Sequence, residues 1–129
     1  MVIFGWLLNQ LTNEISSFTY YNDVEFIPRP KTIEEKIVQE LGEEFVAIGY
    51  CESSLRQFNE NGEVLISYSS DKGVLQINQI HWETAEKMGI DLDTVDGNIA
   101  YAKYLKERNG KNDWYQSAHC WKPLLAMNI

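Results

Sequence analysis

Ser70-Asp71-Lys72-Gly73-Val74-Leu75-Gln76-Ile77-Asn78, with Cys51-Glu52-Ser53 upstream and Trp82 just after it, is the part of the chain on which the fold turns. Before it, Phe45, Ile48, Glu52 and Leu55 recur at intervals of 3, 4 and 3. That spacing is one stripe of a helix, and a helix is expected from Glu43 to Leu55. A carboxylate on an otherwise apolar stripe is costly to ionise, so its pKa should rise. The competing reading is an acid at the rim of the stripe, in water or beside a base. After it, Asn61-Gly62 is a turn dipeptide, and Val64, Ile66 and Tyr68 alternate with Leu65 and Ser67 as in a short strand. Ser69 to Gly73 reads as a second turn, and Val74 to Asn78 as a second strand with Val74, Gln76 and Asn78 on one face. The 19 residues from Glu52 to Asp71 allow the chain to leave the helix, form a strand and return.

Helices are expected on both sides. Thr32 and Glu35 form a T-x-x-E capping box, with Ile33, Ile37, Val38 and Leu41 as the apolar face and Gly42 as the stop. This helix covers residues 32–41 and follows the stiff connector Pro28-Arg29-Pro30. A further helix should run from Trp82 to Met88 and end near Gly89. Another begins after Asp93, with Asp93 and Asp96 as N-cap and N3 acids, and turns Ile99, Ala102, Tyr104 and Leu105 inward before Asn109-Gly110. Trp114 to Trp121 reads as a final short helix or turn. The opening Val2 to Leu8 is apolar but short. The first Lys or Arg of the chain is Arg29, so a signal peptide is not expected there. A packing helix, or the end of a longer upstream region, fits that segment better. Phe18, Tyr20, Tyr21 and Phe26 are expected to cover the core rather than to stack on sugars.

Composition limits the function. A chain of 129 residues, 44% hydrophobic and 12% aromatic, is one domain's worth with material for a core. No apolar run approaches the ~20 residues of a membrane span. The formal charge of −8 argues against nucleic acid as a partner, since phosphates demand a basic face. Residues 1–30 carry a net −2, residues 31–96 a net −9 and residues 97–122 a net +3. The basic end is either a solvated face or one that meets an anionic polymer.

Taken in order, Cys51-Glu52-Ser53, the run from Ser70 to Asn78 and Trp82 resemble the lysozyme-like superfamily. The Glu-Ser pair, the G-x-x-Q-I-N run and the later Asn98-Ile99 resemble lytic transglycosylases related to goose-type lysozyme. The string D-x-G-x-x-Q-I-N-x-x-x-W resembles the second carboxylate strand of c-type lysozymes. Cysteines just before the acid and near the last tryptophans are similar to those of resuscitation-promoting factors. The resemblance covers residues 32–122. It implies an α+β, mainly α, lysozyme-like fold with a small β hairpin beside the catalytic cleft. Residues 1–30 are then an N-terminal extension and connector, and residues 31–129 the lysozyme-like catalytic domain.

The activity the resemblance implies is cleavage of the β-1,4 bond between N-acetylmuramic acid and N-acetylglucosamine in peptidoglycan glycan strands. Such cleavage needs a carboxylic acid kept protonated by its surroundings, and Glu52 takes that role. Asp71 falls where the c-type motif has its second carboxylate, the nucleophile or charge stabiliser of a retaining muramidase. A plain turn aspartate is the competing reading. Without a second carboxylate, Glu52 alone serves as acid and then as base, activating the sugar's C6 hydroxyl to leave a 1,6-anhydro end. The Glu-Ser start and Asn98-Ile99 favour this lytic transglycosylase route. Gln76 and Asn78 are implied cleft residues, with Gly73 for close backbone approach, Ser53 in support of the acid and Tyr104 as a tyrosine contacting it. A core role for Tyr104, and a hydrogen bond fixing the β region for Gln76 and Asn78, are the alternatives. A non-catalytic wall-binding module on the same fold is the reading from another class.

The resemblance also implies a Cys51–Cys120 disulfide, hence a secreted or cell-envelope protein. Two unpaired buried thiols are the alternative reading. No cofactor or metal is expected. His81 and His119 lack zinc-ligand spacing, and helix capping explains Asp91, Asp93 and Asp96 better than a calcium loop. A monomer is expected.

Overall fold

Thr32 opens the first helix of the computed structural model, which describes residues 25–127. Its hydroxyl accepts from the Glu35 backbone N–H while the Glu35 carboxylate accepts from the Thr32 N–H, at 3.1 and 3.0 Å. This reciprocal cap satisfies two orphan donors, and α1 runs Ile33–Leu41. Gly42, at φ 93°, stops it by returning its N–H to the Ile37 and Val38 carbonyls. The chain divides between Pro30 and Lys31, and every helix and strand of the described residues belongs to the unit from Lys31. Of the N-terminal expectations, Val2–Leu8, Phe18, Tyr20 and Tyr21 lie outside the described residues, and Phe26 is exposed.

The domain is mainly helical, α+β. The described residues hold five α-helices and one two-stranded antiparallel hairpin. After α1 come α2 (Glu44–Ser53), β1 (Asp71–Lys72), β2 (Ile77–Asn78), α3 (Trp82–Lys87), α4 (Val95–Asn109) and α5 (Ala118–Met127). Short 3-10 turns, Gln79–His81 and Asn112–Ser117, lead into α3 and α5. Among the described residues, no helix is long and apolar enough to cross a membrane.

Ile37 and Leu41 of α1, Phe45 and Ile48 of α2, Ile99, Tyr101 and Leu105 of α4 and Trp121 of α5 are buried in one core. Trp114 joins it edge-on to Phe45, ring centroids 5.0 Å apart, and its indole N–H donates to the Leu75 carbonyl at 2.8 Å. Burial of this apolar surface is the main stabilising term. Surface cations join the same helices: Lys36 to Asp96 and Lys103 to Glu40 tie α4 to α1, and Lys111 reaches Glu44 of α2.

Some expectations change. The second helix ends at Ser53 rather than Leu55, because Ser54 and Leu55 take left-handed conformations. Leu55 instead packs against Gly49, where an added Cβ would lie 3.0 Å from its side chain. The 64–68 stretch is not a continuous strand: it makes two isolated bridges, Phe58 to Val64 and Ile66 to Lys72. Asp71 and Lys72 are strand rather than turn, pairing with Asn78 and Ile77. The expected strand from Val74 to Asn78 is a turn over residues 73–76 followed by β2. Gln76 has φ 50°, so period-two alternation fails there. Finally, α4 is capped by Thr94, whose hydroxyl accepts from the Gly97 N–H, and not by Asp93.

Two buried amides hold that turn. The Gln57 Oε1 accepts from the Val74 N–H at 2.9 Å and its Nε2 donates to the Leu92 carbonyl at 3.0 Å. The Asn98 Oδ1 accepts from the Leu75 N–H at 2.9 Å and its Nδ2 donates to the Lys72 carbonyl at 2.8 Å. A buried backbone polar group left unpaired is costly, so these side chains do for the turn what a sheet ladder would do for a strand. Gly73 is required beneath them: φ is 75°, and a Cβ there would lie 2.6 Å from the Gln57 Oε1.

Candidate active site

Glu52 is the penultimate residue of α2, half-buried, on the wall of a cleft of about 600 Å³. That volume is in the range of small-molecule and sugar sites. The hairpin region brings Ser67, Asp71, Gln76 and Asn78 to the same cleft. The 3-10 turn and the start of α5 add Trp114, Gln116, Ser117 and His119, and His81 and Asp113 also line it.

Burial pushes the Glu52 carboxyl above its ordinary range. The Ser117 hydroxyl opposes this by donating to Oε1, and the charge of Asp71 adds to it. Position in the last turn of α2, at the negative end of the helix dipole, acts in the same direction as burial. A carboxyl raised in this way can hold a proton closer to neutral pH and deliver it inside the cleft.

Asp71 has different surroundings. Its carboxylate accepts from the Ser67 hydroxyl at 3.1 Å, from the Ser69 hydroxyl and from the Asn78 Nδ2 at 2.8 Å. Asn78 is engaged at both ends of its amide: its Oδ1 accepts from the Ile80 N–H at 3.2 Å, capping the 3-10 turn. Gln76 lines the cleft with its Nε2 turned back onto the Gly73 carbonyl at 2.8 Å.

The remaining sequence candidates lie elsewhere. Ser53 is buried beneath the cleft, donating to the Val74 carbonyl at 2.8 Å and accepting from the Arg56 N–H at 3.0 Å. It joins the end of α2 to the turn and is not a lining residue. Gly73 is packed against Asn98 and Gln57, so the close approach it permits is to those amides and not to a sugar. Tyr104 packs with its ring tilted against that of Tyr101, centroids 5.3 Å apart, and carries Arg108 over its ring; it is not among the residues that line the cleft. The buried Tyr101 touches a lining residue: its hydroxyl lies 3.2 Å from the His81 Nδ1. The His81 Nε2 lies 3.7 Å from Asp113.

Cys51 and Cys120 form a disulfide with Cα atoms 6.0 Å apart. It joins α2 to α5 at the residue just before Glu52. Sequence reasoning missed Ser117, although a signal for it existed. Ser117 stands three residues before Cys120, so a bridge that draws Cys120 to Cys51 draws Ser117 to Glu52 on the same helical face. Gln57 and Asn98 carried no comparable signal as buried supports. Among known proteins, no family model matches the chain, and neither a curated protein nor a solved structure is significantly similar to it.

Proposed function

We propose that this protein is a glycosidase of lysozyme-like fold that cuts the β-1,4 MurNAc–GlcNAc bond of peptidoglycan glycan strands. The observation that carries this reading is a single side chain: a half-buried glutamate, its pKa raised by burial, on the wall of a cleft that Asp71 also lines. Glu52 gives its proton to the glycosidic oxygen as the C1–O bond breaks, and the developing oxocarbenium ion is met inside the cleft. In the lytic transglycosylase reading, Glu52 then takes the proton of the C6 hydroxyl, which closes on C1. This needs no second carboxylate, and the resemblance of Cys51-Glu52-Ser53 and Asn98-Ile99 supports it.

A second reading, the retaining muramidase, is favoured by the donors around Asp71. Ser67, Ser69 and Asn78 fix a second carboxylate in the lining of the same cleft, and a nucleophile or charge stabiliser must be held in place in this way. The disulfide fits a protein that works in an oxidising, extracytoplasmic compartment.

Digestion of purified peptidoglycan by the parent and by Glu52→Gln, with products weighed by mass spectrometry, tests both readings. Anhydro ends, one water lighter than hydrolysed ends, are expected from the parent and not from the variant. Reducing ends alone select the muramidase. A Glu52→Gln variant as fast as the parent sinks both readings, and a parent that cuts no glycan leaves the wall-binding module.

A further inference from the structure

Two consecutive residues at the end of α2 meet one face of the segment that enters α5. Cys51 is bonded to Cys120, and Glu52 accepts from Ser117, one helical turn earlier. The Ser117 hydroxyl has a second acceptor, the Trp114 carbonyl at 3.1 Å. That carbonyl is itself held, because it accepts from the Trp121 indole N–H at 3.0 Å and belongs to a tryptophan buried in the core. Ser117 therefore stands between a fixed backbone acceptor and the carboxyl, with the disulfide one turn away limiting relative movement of the two segments.

We propose that Ser117 is a positioning residue for the acid: by donating to Oε1 it leaves Oε2 as the oxygen that carries the transferable proton. This rests on the glycosidase reading of Glu52. A hydroxyl has one proton to give. While Glu52 is protonated on Oε2, Ser117 is shared between Oε1 and the Trp114 carbonyl. When Oε2 gives its proton to the glycosidic oxygen, charge spreads onto Oε1 and the Ser117 hydrogen bond strengthens, as charge-assisted bonds do. The return step, in which Oε2 takes a proton from the C6 hydroxyl or from water, restores the first arrangement. Ser117 thus favours the ionised product of the first step without touching the sugar. The other titratable groups on the cleft are Asp71 on β1, His81 and Asp113 at the two 3-10 turns and His119 on α5. Of these, Asp71 acts on Glu52, and it does so against ionisation.

Ser117→Thr and Ser117→Val separate the hydroxyl from its shape, since the two side chains are nearly isosteric. The Glu52 carboxyl is followed by carbon-13 NMR across a pH titration, alongside the pH profile of peptidoglycan cleavage. In Ser117→Val the Glu52 midpoint and the alkaline limb of activity both move to higher pH. The plateau kcat falls about tenfold, the scale of a lost hydrogen bond to a charged group, and KM holds. Ser117→Thr behaves as the parent. An unchanged Glu52 midpoint in Ser117→Val, or an equal shift in both variants, overturns the proposal. A parent that titrates as expected yet cuts no glycan refutes the glycosidase reading and, with it, the catalytic role of Ser117, while the NMR shift still reports the Ser117–Glu52 bond. Should Ser117→Val fail to fold, Ser117→Ala carries the same comparison.

Discussion

At the scale of single residues, Glu52 sets a conflict between stability and chemistry. Its carboxyl is raised by burial, so the folded state holds that proton more tightly than the unfolded chain does. The contribution to stability is then full below the ordinary carboxyl range and is lost as pH rises through the raised folded value. Above that window an ionised, half-buried Glu52 is a burden on the fold. Glu52→Gln is therefore expected to melt at a higher temperature than the parent at pH 7, with the difference shrinking as the pH falls towards 4. Calorimetry at the two pH values reads this. The same variant should cut peptidoglycan at least about a thousandfold more slowly, within the usual range for loss of a general acid. An active site that gains stability when its acid is removed is the signature of a group kept for chemistry.

Among the elements, the turn over residues 73–76 matters most, because it sets where β1 and β2 stand against α2. Asn98 serves it from α4, holding the Leu75 N–H and the Lys72 carbonyl. Asn98→Ala leaves these groups without their partner in the core, and a loss of about 2–3 kcal/mol is expected from urea denaturation. Because Lys72 follows Asp71 in β1, cleavage activity should fall in the still-folded fraction as well. The sequence had placed helices at nearly every site where the structure has one. Thr32 with Glu35, and Asn109 with Gly110, are local signals that need no distant partner. The β region was misread for the opposite reason. Val74-Leu75-Gln76-Ile77-Asn78 has a strand's composition, but its N–H groups are taken by side chains 17 and 23 residues away. Propensity yields where buried amides compete for the backbone.

Over the whole molecule, the disulfide and the net charge are the two properties that no single element holds. The bridge closes a loop with a sequence separation of 69, for which chain entropy suggests stabilisation of about 4 kcal/mol. Reduction with a mild thiol is expected to lower the urea midpoint accordingly. It should also reduce activity before unfolding, since α5 and Ser117 are then freer to move from Glu52. The charge of −8 acts at longer range. Among the described residues the cleft lining contains Glu52, Asp71 and Asp113 and no lysine or arginine, although residues 97–122 are mildly basic. Against an anionic wall strand, the net repulsion is screened by salt. Cleavage of peptidoglycan should therefore rise about two- to threefold between 10 and 100 mM salt. A fall over that range would show that the basic end steers the substrate.

By itself the sequence determined the helices, the pairing of an acid with an apolar stripe and the candidates Glu52 and Asp71, because caps, periodicity and motif order are properties of neighbours along the chain. Only the tertiary structure decided the rest. It moved Ser53, Gly73 and Tyr104 out of the cleft and brought Ser117, His81 and Asp113 into it. It also turned Gln57 and Asn98 into the supports of the hairpin. Those assignments depend on which distant backbone groups are buried and must find a partner, and on where one disulfide draws α5 to the end of α2. Spacing alone carries the second for Ser117, once the bridge is given, and carries the first for none of these residues.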